Sequence, residues 1–302
     1  MAVRLIGVPT NSAGRPGGVA RAPAALRAAG LVQALRARDG GDVVVPPLAP
    51  GRDPRSGLIA VDSLAGMVES TRRAVRSALD AGLVPFVAGG DCPILLGCLA
   101  GARDARGGPV GLLFLDGHED TWPPHASTTG EAADCELGLA LGRGTEGLPA
   151  PLADLLPLVA PGDVALLGPR DAAAMASEGA RSLAAELFLV DDRTLLAEGC
   201  ASAARRAAAR LHAARGAWWL HLDLDVLSTE ALPAVDYLQP GGLGWADLED
   251  ALAAALAVPG LLGMNLTIYN PDLDPTGAGA RRIVELVRTT FGASCRPRLD
   301  AP

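Results

Sequence analysis

The sequence has no lysine. All 26 basic residues among its 302 are arginine, set against 34 carboxylates. With Ala and Gly so abundant, this bias reflects genomic base composition and says little about function. The net charge of -8 argues against nucleic acid or an anionic membrane as partner. Cysteine is sparse, and its five positions (92, 98, 135, 200, 295) make neither a disulfide framework nor a CxxC zinc motif. Arg or Asp interrupts each Ala-rich stretch before it reaches membrane-spanning length. The opening run from Met1 to Val8 breaks too early for a signal peptide. No repeat or linker divides the chain. The expectation is one domain over 1–302, soluble and cytoplasmic.

What is present fits a compact protein. Hydrophobic residues make up 49% and charged residues 20%, which excludes disorder over most of the length. Short apolar runs read as strands at Val3 to Val8, Asp42 to Val45, Val84 to Ala88, Val110 to Leu115, Asp163 to Leu167, Glu186 to Val190, Ala217 to Leu222 and Leu261 to Tyr269. Helical spacing runs over Ala22 to Arg38, Leu58 to Ala81, Ile94 to Ala102, about 171–184, 195–214, Trp245 to Ala257 and Gly277 to Thr290. Strands alternating with helices predict an α/β fold, with a mainly parallel sheet covered on both faces. Ligands of such sheets bind beyond the carboxyl ends of the strands.

Two strand ends carry the chemistry. Gly111 to Leu115 ends in Asp116-Gly-His118-Glu-Asp120, and Trp218 to Leu222 ends in Asp223-Leu-Asp225. Residues two apart on an extended chain point the same way, so Asp116, His118 and Asp120 converge, as do Asp223 and Asp225. Four carboxylates and an imidazole repel one another unless cations intervene, and a two-metal site follows. The alternative is a pair of strand ends that simply meet solvent, where Asp is common. Glu119 alternates with the candidate ligands and is expected to point away. Trp218 and Trp219 read as core, and His221 as a packing or supporting residue beside Asp223.

Taken together, Gly89-Gly90-Asp91-Cys92, Asp116-Gly-His118-Glu-Asp120, Asp223-Leu-Asp225 and Pro240-Gly241-Gly242-Leu243 resemble the ureohydrolases in order and spacing. This is the arginase, agmatinase and formiminoglutamase family. Gly7-Val8-Pro9, Gly17-Gly18-Val19, Ala22-Pro23-Ala24-Ala25-Leu26-Arg27 and Asn270-Pro271 extend the likeness over nearly the whole chain. The resemblance implies a three-layer α/β/α sandwich with an arginase-like sheet. It also implies two divalent metal ions, usually Mn²⁺, bridged by hydroxide. By position Asp116 and Asp223 bridge the ions, Asp120 and Cys92 complete one site, and His118 and Asp225 the other. It implies further a small-molecule substrate and a homo-oligomer, a trimer or hexamer.

Four departures from the family pattern bear on function. Cys92 stands where the family carries His, and a softer thiolate shifts preference toward Zn²⁺ or Fe²⁺. A branch acting on N-hydroxyarginine is similar in carrying Cys there. Ile268 occupies the place of an acid that grips guanidinium, and an apolar side chain cannot pair a buried cation. The loop that normally carries a proton-transferring His has none. His125, Glu131, Asp134 or Glu136 are the candidates to replace it. Finally, Val235 to Gln239 replaces the usual substrate loop, which makes Tyr237 and Gln239 candidate substrate contacts.

The leading expectation is a metal-dependent hydrolase that cleaves a C–N bond of a linear amidine, N-hydroxyguanidine or amide. A deacetylase-like amide hydrolase is one variant. A catalytically silent protein kept for assembly or regulation is the alternative from another class.

Overall fold

The computed structural model describes residues 2–294, so Cys295 and the ends of the expected 1–302 domain lie outside the described residues. Eight strands are formed: β1 (Val3–Val8), β2 (Arg38–Asp42), β3 (Val84–Gly89), β4 (Gly111–Leu115), β5 (Val164–Leu167), β6 (Phe188–Val190), β7 (Trp218–Asp223) and β8 (Leu261–Thr267). They lie in one sheet in the order β2-β1-β3-β8-β7-β4-β5-β6, and every pairing is parallel. Alternate side chains leave the sheet on opposite faces, and each face has its own core. Leu112, Phe114, Leu166 and Trp219 pack on one side, under the helices Val61–Asp80 and Ile94–Arg106. Leu113, Leu115, Leu167 and Trp218 pack on the other, under Cys200–Arg215, Trp245–Leu256 and Ala278–Thr289. This is a three-layer α/β/α sandwich. Trp218 and Trp219 are both fully buried, on opposite faces.

The apolar runs predict most strands because burial on both faces removes any alternation. The chief differences lie at one edge. The helix expected over Ala22 to Arg38 is two short helices, Ala22–Ala28 and Leu31–Leu35, parted at Gly30, whose φ is +100°. The strand expected at Asp42 to Val45 is instead β2, Arg38–Asp42, with all five residues exposed. Arg27 clamps it by pairing with Asp39 at 3.0 Å and Asp42 at 2.5 Å. The helix expected over 195–214 breaks at Gly199 into Asp192–Glu198 and Cys200–Arg215. The one expected over 171–184 is formed only as Ala172–Ser177.

The topology positions the chemistry. β4 and β7 are neighbours, with Leu115 opposite Leu222, so the segments after them leave the sheet side by side. β3, which leads into Cys92, and β8, which leads into Ile268, are paired next door. Among the described residues no helix is long and apolar enough to cross a membrane.

Candidate metal centre

The loop after β4 is folded by its own first carboxylate. The fully buried Asp116 accepts a hydrogen bond from the His118 backbone N–H at 2.8 Å, which turns the chain so that the imidazole faces back. After β7, Asp223 does the same for the Asp225 N–H at 2.7 Å. Gly117 then joins the two loops by donating its N–H to Asp225 Oδ1 at 3.0 Å. A Cβ there would sit 2.8 and 2.9 Å from the Asp225 carbonyl and carboxylate oxygens, so only glycine allows the approach. Arg170, after β5, donates from Nη2 to the Asp225 carbonyl at 2.7 Å and from its backbone to the Gly117 carbonyl at 2.9 Å. It holds both turns.

Two groups of donor atoms result. Asp116, His118 and Asp225 form one, with His118 Nδ1 2.9 Å from Asp225 Oδ2. Cys92, Asp116, Glu136 and His221 form the other, and each offers an atom within 4.8 Å of the rest. Asp223 links them, since its Oδ2 accepts from the Cys92 thiol while Oδ1 holds Asp225. Asp120 is buried at φ +48° and faces the same cavity. Glu119 points away, accepting from the Leu183 N–H at 2.8 Å.

The electrostatics are those of crowded carboxylates. Burial raises Asp223 well above the usual range, and Asp225 and Asp116 add to it. Asp120 is raised by burial, then by Glu136, Asp116 and Asp225. Burial and the Asp223 charge push the Cys92 thiol up. His118 goes the other way from its burial, held well above its ordinary value by Asp225 and Asp116. In return it brings Asp225 down to about 2 against the effect of burial. Asp116 Oδ2 and His221 Nε2 are buried without any hydrogen-bond partner, and the oxygens of Glu136 have none but the Asp120 carboxyl. Buried polar atoms are rarely left so, and a group of them aimed at one point calls for a cation. Oxygen donors with two imidazoles and one thiol nearby suit a divalent ion. The donor set therefore fits the two-ion expectation.

His221 is held by a chain that its sequence position does not announce. Trp219 Nε1–H donates to Asn265 Oδ1 at 2.8 Å, which turns the Asn265 amide nitrogen toward His221 Nδ1 at 2.6 Å. The ring stacks on Phe114, centroids 4.3 Å apart, and aims Nε2 at Asp116 Oδ2, 3.6 Å away.

Above these groups lies a cavity of about 470 Å³, whose wall includes Trp122, Asp134, Tyr237, Gln239 and Ile268. Ile268 has φ +69°, an outlier for a β-branched residue, and its N–H is tied to the Gly90 carbonyl at 2.9 Å. Asn270 bonds Asp236 and donates its N–H to the Ala234 carbonyl at 2.8 Å, which fixes the loop bearing Tyr237. The proton-transfer candidates are dispersed. Asp134 reaches the wall, accepting from Ser127 Oγ at 2.6 Å and from Thr129 Oγ1. Glu131 pairs with the Tyr237 hydroxyl, and burial raises it to about 7. His125 is exposed on the turn after Pro124 and does not line the cavity. Glu136 is fully buried and does not line the cavity. Asp171, raised to about 6 chiefly by burial, also lines the wall and accepts from the Glu119 N–H at 3.2 Å. In the sequence Arg170 and Asp171 look like any strand-to-helix turn, and nothing there marks Asn265.

The sequence profile of the Arginase family matches residues 1–292. An arginase of Agrobacterium fabrum is 29% identical over 96% of this chain and 90% of its own. The crystal structure of the Bacillus caldovelox arginase superposes with a TM-score of 0.83 at 24% identity, covering 96% of this chain and 98% of that one. The proclavaminate amidino hydrolase of Streptomyces clavuligerus matches with a TM-score of 0.65 at 19% identity, over 97% and 91% of the two chains.

Proposed function

The chain belongs to the arginase family, hydrolases of carbon–nitrogen bonds other than peptide bonds, and on that premise we propose that its substrate is less cationic at the reacting carbon than arginine. An N-hydroxyguanidine, a formimino or acyl group, or an amide meets that description. The carrying observation is Ile268, buried in the cavity wall beside the carboxylate floor. A guanidinium entering there would be desolvated with no partner from position 268, whereas a neutral group meets only an apolar contact.

We assign two divalent cations to the floor, held by Cys92, Asp116, His118, Asp120, Asp223 and Asp225. Their chemistry when bound is Lewis acidity, which acidifies water and polarises a trigonal carbon. The chain supplies the rest. Asp116 and Asp223 present carboxylates from adjacent strands, and Arg170 and Gly117 keep the two turns in register. Tyr237 and Gln239 border the entry beside Ile268 and orient the substrate. Tyr237 also connects the cavity to Glu131, which makes this pair the better proton path than Asp134, already bound to two hydroxyls. His125 has no part in it, being exposed away from the cavity.

The test is a turnover screen on Mn²⁺-loaded protein with arginine, agmatine, N-hydroxyarginine, formimino and acylamino compounds. The reading expects one of the last three classes to exceed arginine by at least a hundredfold in kcat/KM. Urea release from arginine at rates typical of enzymes, about 1–10³ s⁻¹, would overturn it.

A further inference from the structure

The ligands assigned above leave one buried carboxylate unused. Glu136 is fully buried, and apart from the neighbouring Asp120 carboxyl its oxygens meet no hydrogen-bond partner. One lies within 4.8 Å of the Cys92 thiol, an Asp116 oxygen and a His221 ring nitrogen. Like Asp116 it does not line the cavity, so it is not a group the substrate meets directly. A carboxylate in that position gains nothing from packing and loses its hydration without replacement. Its location has to be explained by what it faces.

Divalent ions hold oxygen, nitrogen or sulfur at roughly 2.0–2.4 Å, so donors across an ion stand about 4–5 Å apart. The group around Glu136 has that dimension. Two neighbours could take the place of the imidazole that position 92 lacks, Glu136 and His221, and His221 is the obvious one. Its bonding excludes it. Trp219 can only donate, so Asn265 must present its oxygen to Trp219 and its amide N–H to His221. Nδ1 of His221 then accepts, and the ring proton of the neutral form sits on Nε2, the atom that faces Asp116. A protonated nitrogen does not ligate. Glu136 offers a carboxylate at the same place, facing only another acid, Asp120.

We propose that Glu136 is a metal ligand, completing with Cys92 and Asp116 the ion site on the Cys92 side in place of the family's imidazole. The substitution pairs a soft donor with an added hard one, so the site keeps its affinity for an oxygen-loving ion despite the thiol. This inference rests on the two-ion reading above.

Wild type, Glu136→Gln and Glu136→Asp are to be loaded with Mn²⁺, dialysed and assayed for metal by mass spectrometry, with low-temperature EPR separating a coupled pair from isolated ions. Wild type is expected to hold two ions per chain with a coupled signal. Glu136→Gln, nearly isosteric, is expected to lose one ion or bind it at least tenfold more weakly, and to show an isolated-ion spectrum. Its metal-free melting temperature should equal or exceed that of wild type, because an unpaired buried carboxylate has been removed. Should the Gln variant fail to fold, Glu136→Asp, which withdraws the oxygens by one methylene, is expected to weaken the same ion. Two ions bound with unchanged affinity and coupling in a folded variant would overturn the proposal alone. An ion-free wild type would instead overturn the two-ion reading, and this proposal with it.

Discussion

Asn265 and His221 face each other at 2.6 Å in the middle of the sheet, and Trp219 fixes which way round they do so. The amide cannot turn over without setting its NH₂ against the indole N–H. The imidazole proton is thereby directed to Nε2, toward Asp116, which belongs to both donor groups. A tryptophan at the far end of the chain of contacts thus decides the donor character of a ring at the carboxylate floor.

Replacing the amide by a carboxylate reverses that assignment. In Asn265→Asp the oxygen opposite His221 accepts from Nδ1–H, leaving Nε2 bare. The ¹⁵N–¹H pattern of the His221 ring is expected to change from the Nε2–H to the Nδ1–H tautomer. Metal affinity should shift by roughly 10- to 100-fold, the range seen when a group supporting a ligand is altered. An unchanged ring pattern would show that Trp219 and Asn265 do not control the proton.

Cys92 gives a second prediction. Its thiol touches Asp223 and lies 3.3 Å from Thr267 Oγ1, close enough to share an ion with the floor. Cys92→Ala is expected to weaken one ion by roughly tenfold or more while leaving the other, a loss at least as large as that from a supporting group. Cys92→His should keep both ions and favour Mn²⁺ over Zn²⁺ relative to wild type. Equal affinities in wild type and the Ala variant would reduce Cys92 to packing.

A third prediction concerns Ile268. Ile268→Glu should raise kcat/KM for guanidinium compounds and lower it for the neutral substrate. An unpaired buried cation costs on the order of 3–5 kcal/mol, so the gain could reach several hundredfold. The mutation also keeps the strained φ of +69°, so a melting temperature should accompany the kinetics. No change in preference in a folded variant would remove Ile268 from the substrate wall.

The fourth is a pH effect. Burial raises Glu131 to about 7 from 4.5, with Asp91 adding to the shift and Tyr237 opposing it. A folded-state pKa above the unfolded one means the fold prefers Glu131 neutral. That contribution is fully present below about 4.5 and is lost as the pH rises through about 7. Glu131→Gln, which stays neutral, should therefore melt higher than wild type at pH 8, with the gap closing toward pH 4.5. A gap independent of pH, measured by calorimetry at matched metal content, would refute the assignment.

Much of this was legible in the sequence because the central strands are buried on both faces. Leu112 to Leu115 is an unbroken apolar run, Trp218 to Leu222 is broken only by His221, and the abrupt change to Asp marks where each leaves the sheet. β2 was not legible, since Arg-Asp-Gly-Gly-Asp has no buried residue and its place depends on pairing with β1 and on Arg27. The break at Gly30 was readable in principle, yet the apolar spacing around it continues as though the helix did. Asp116, His118 and Asp225 declare themselves by alternation. Glu136 and Asn265 do not, because what matters is which residues from distant segments they meet.

The clamp on β2 also decides how the sheet can meet other molecules. An exposed edge strand offers unpaired amides and carbonyls on which another chain can build. Here that edge is a five-residue stretch of Arg, Asp and Gly, with carboxylates already engaged by Arg27. The opposite edge, β6, is three residues long. Both ends of the sheet resist extension, one by charge and the other by brevity. Neither described edge invites a further strand, so the strand order, and the alignment of β4 with β7, is set within one copy of the chain.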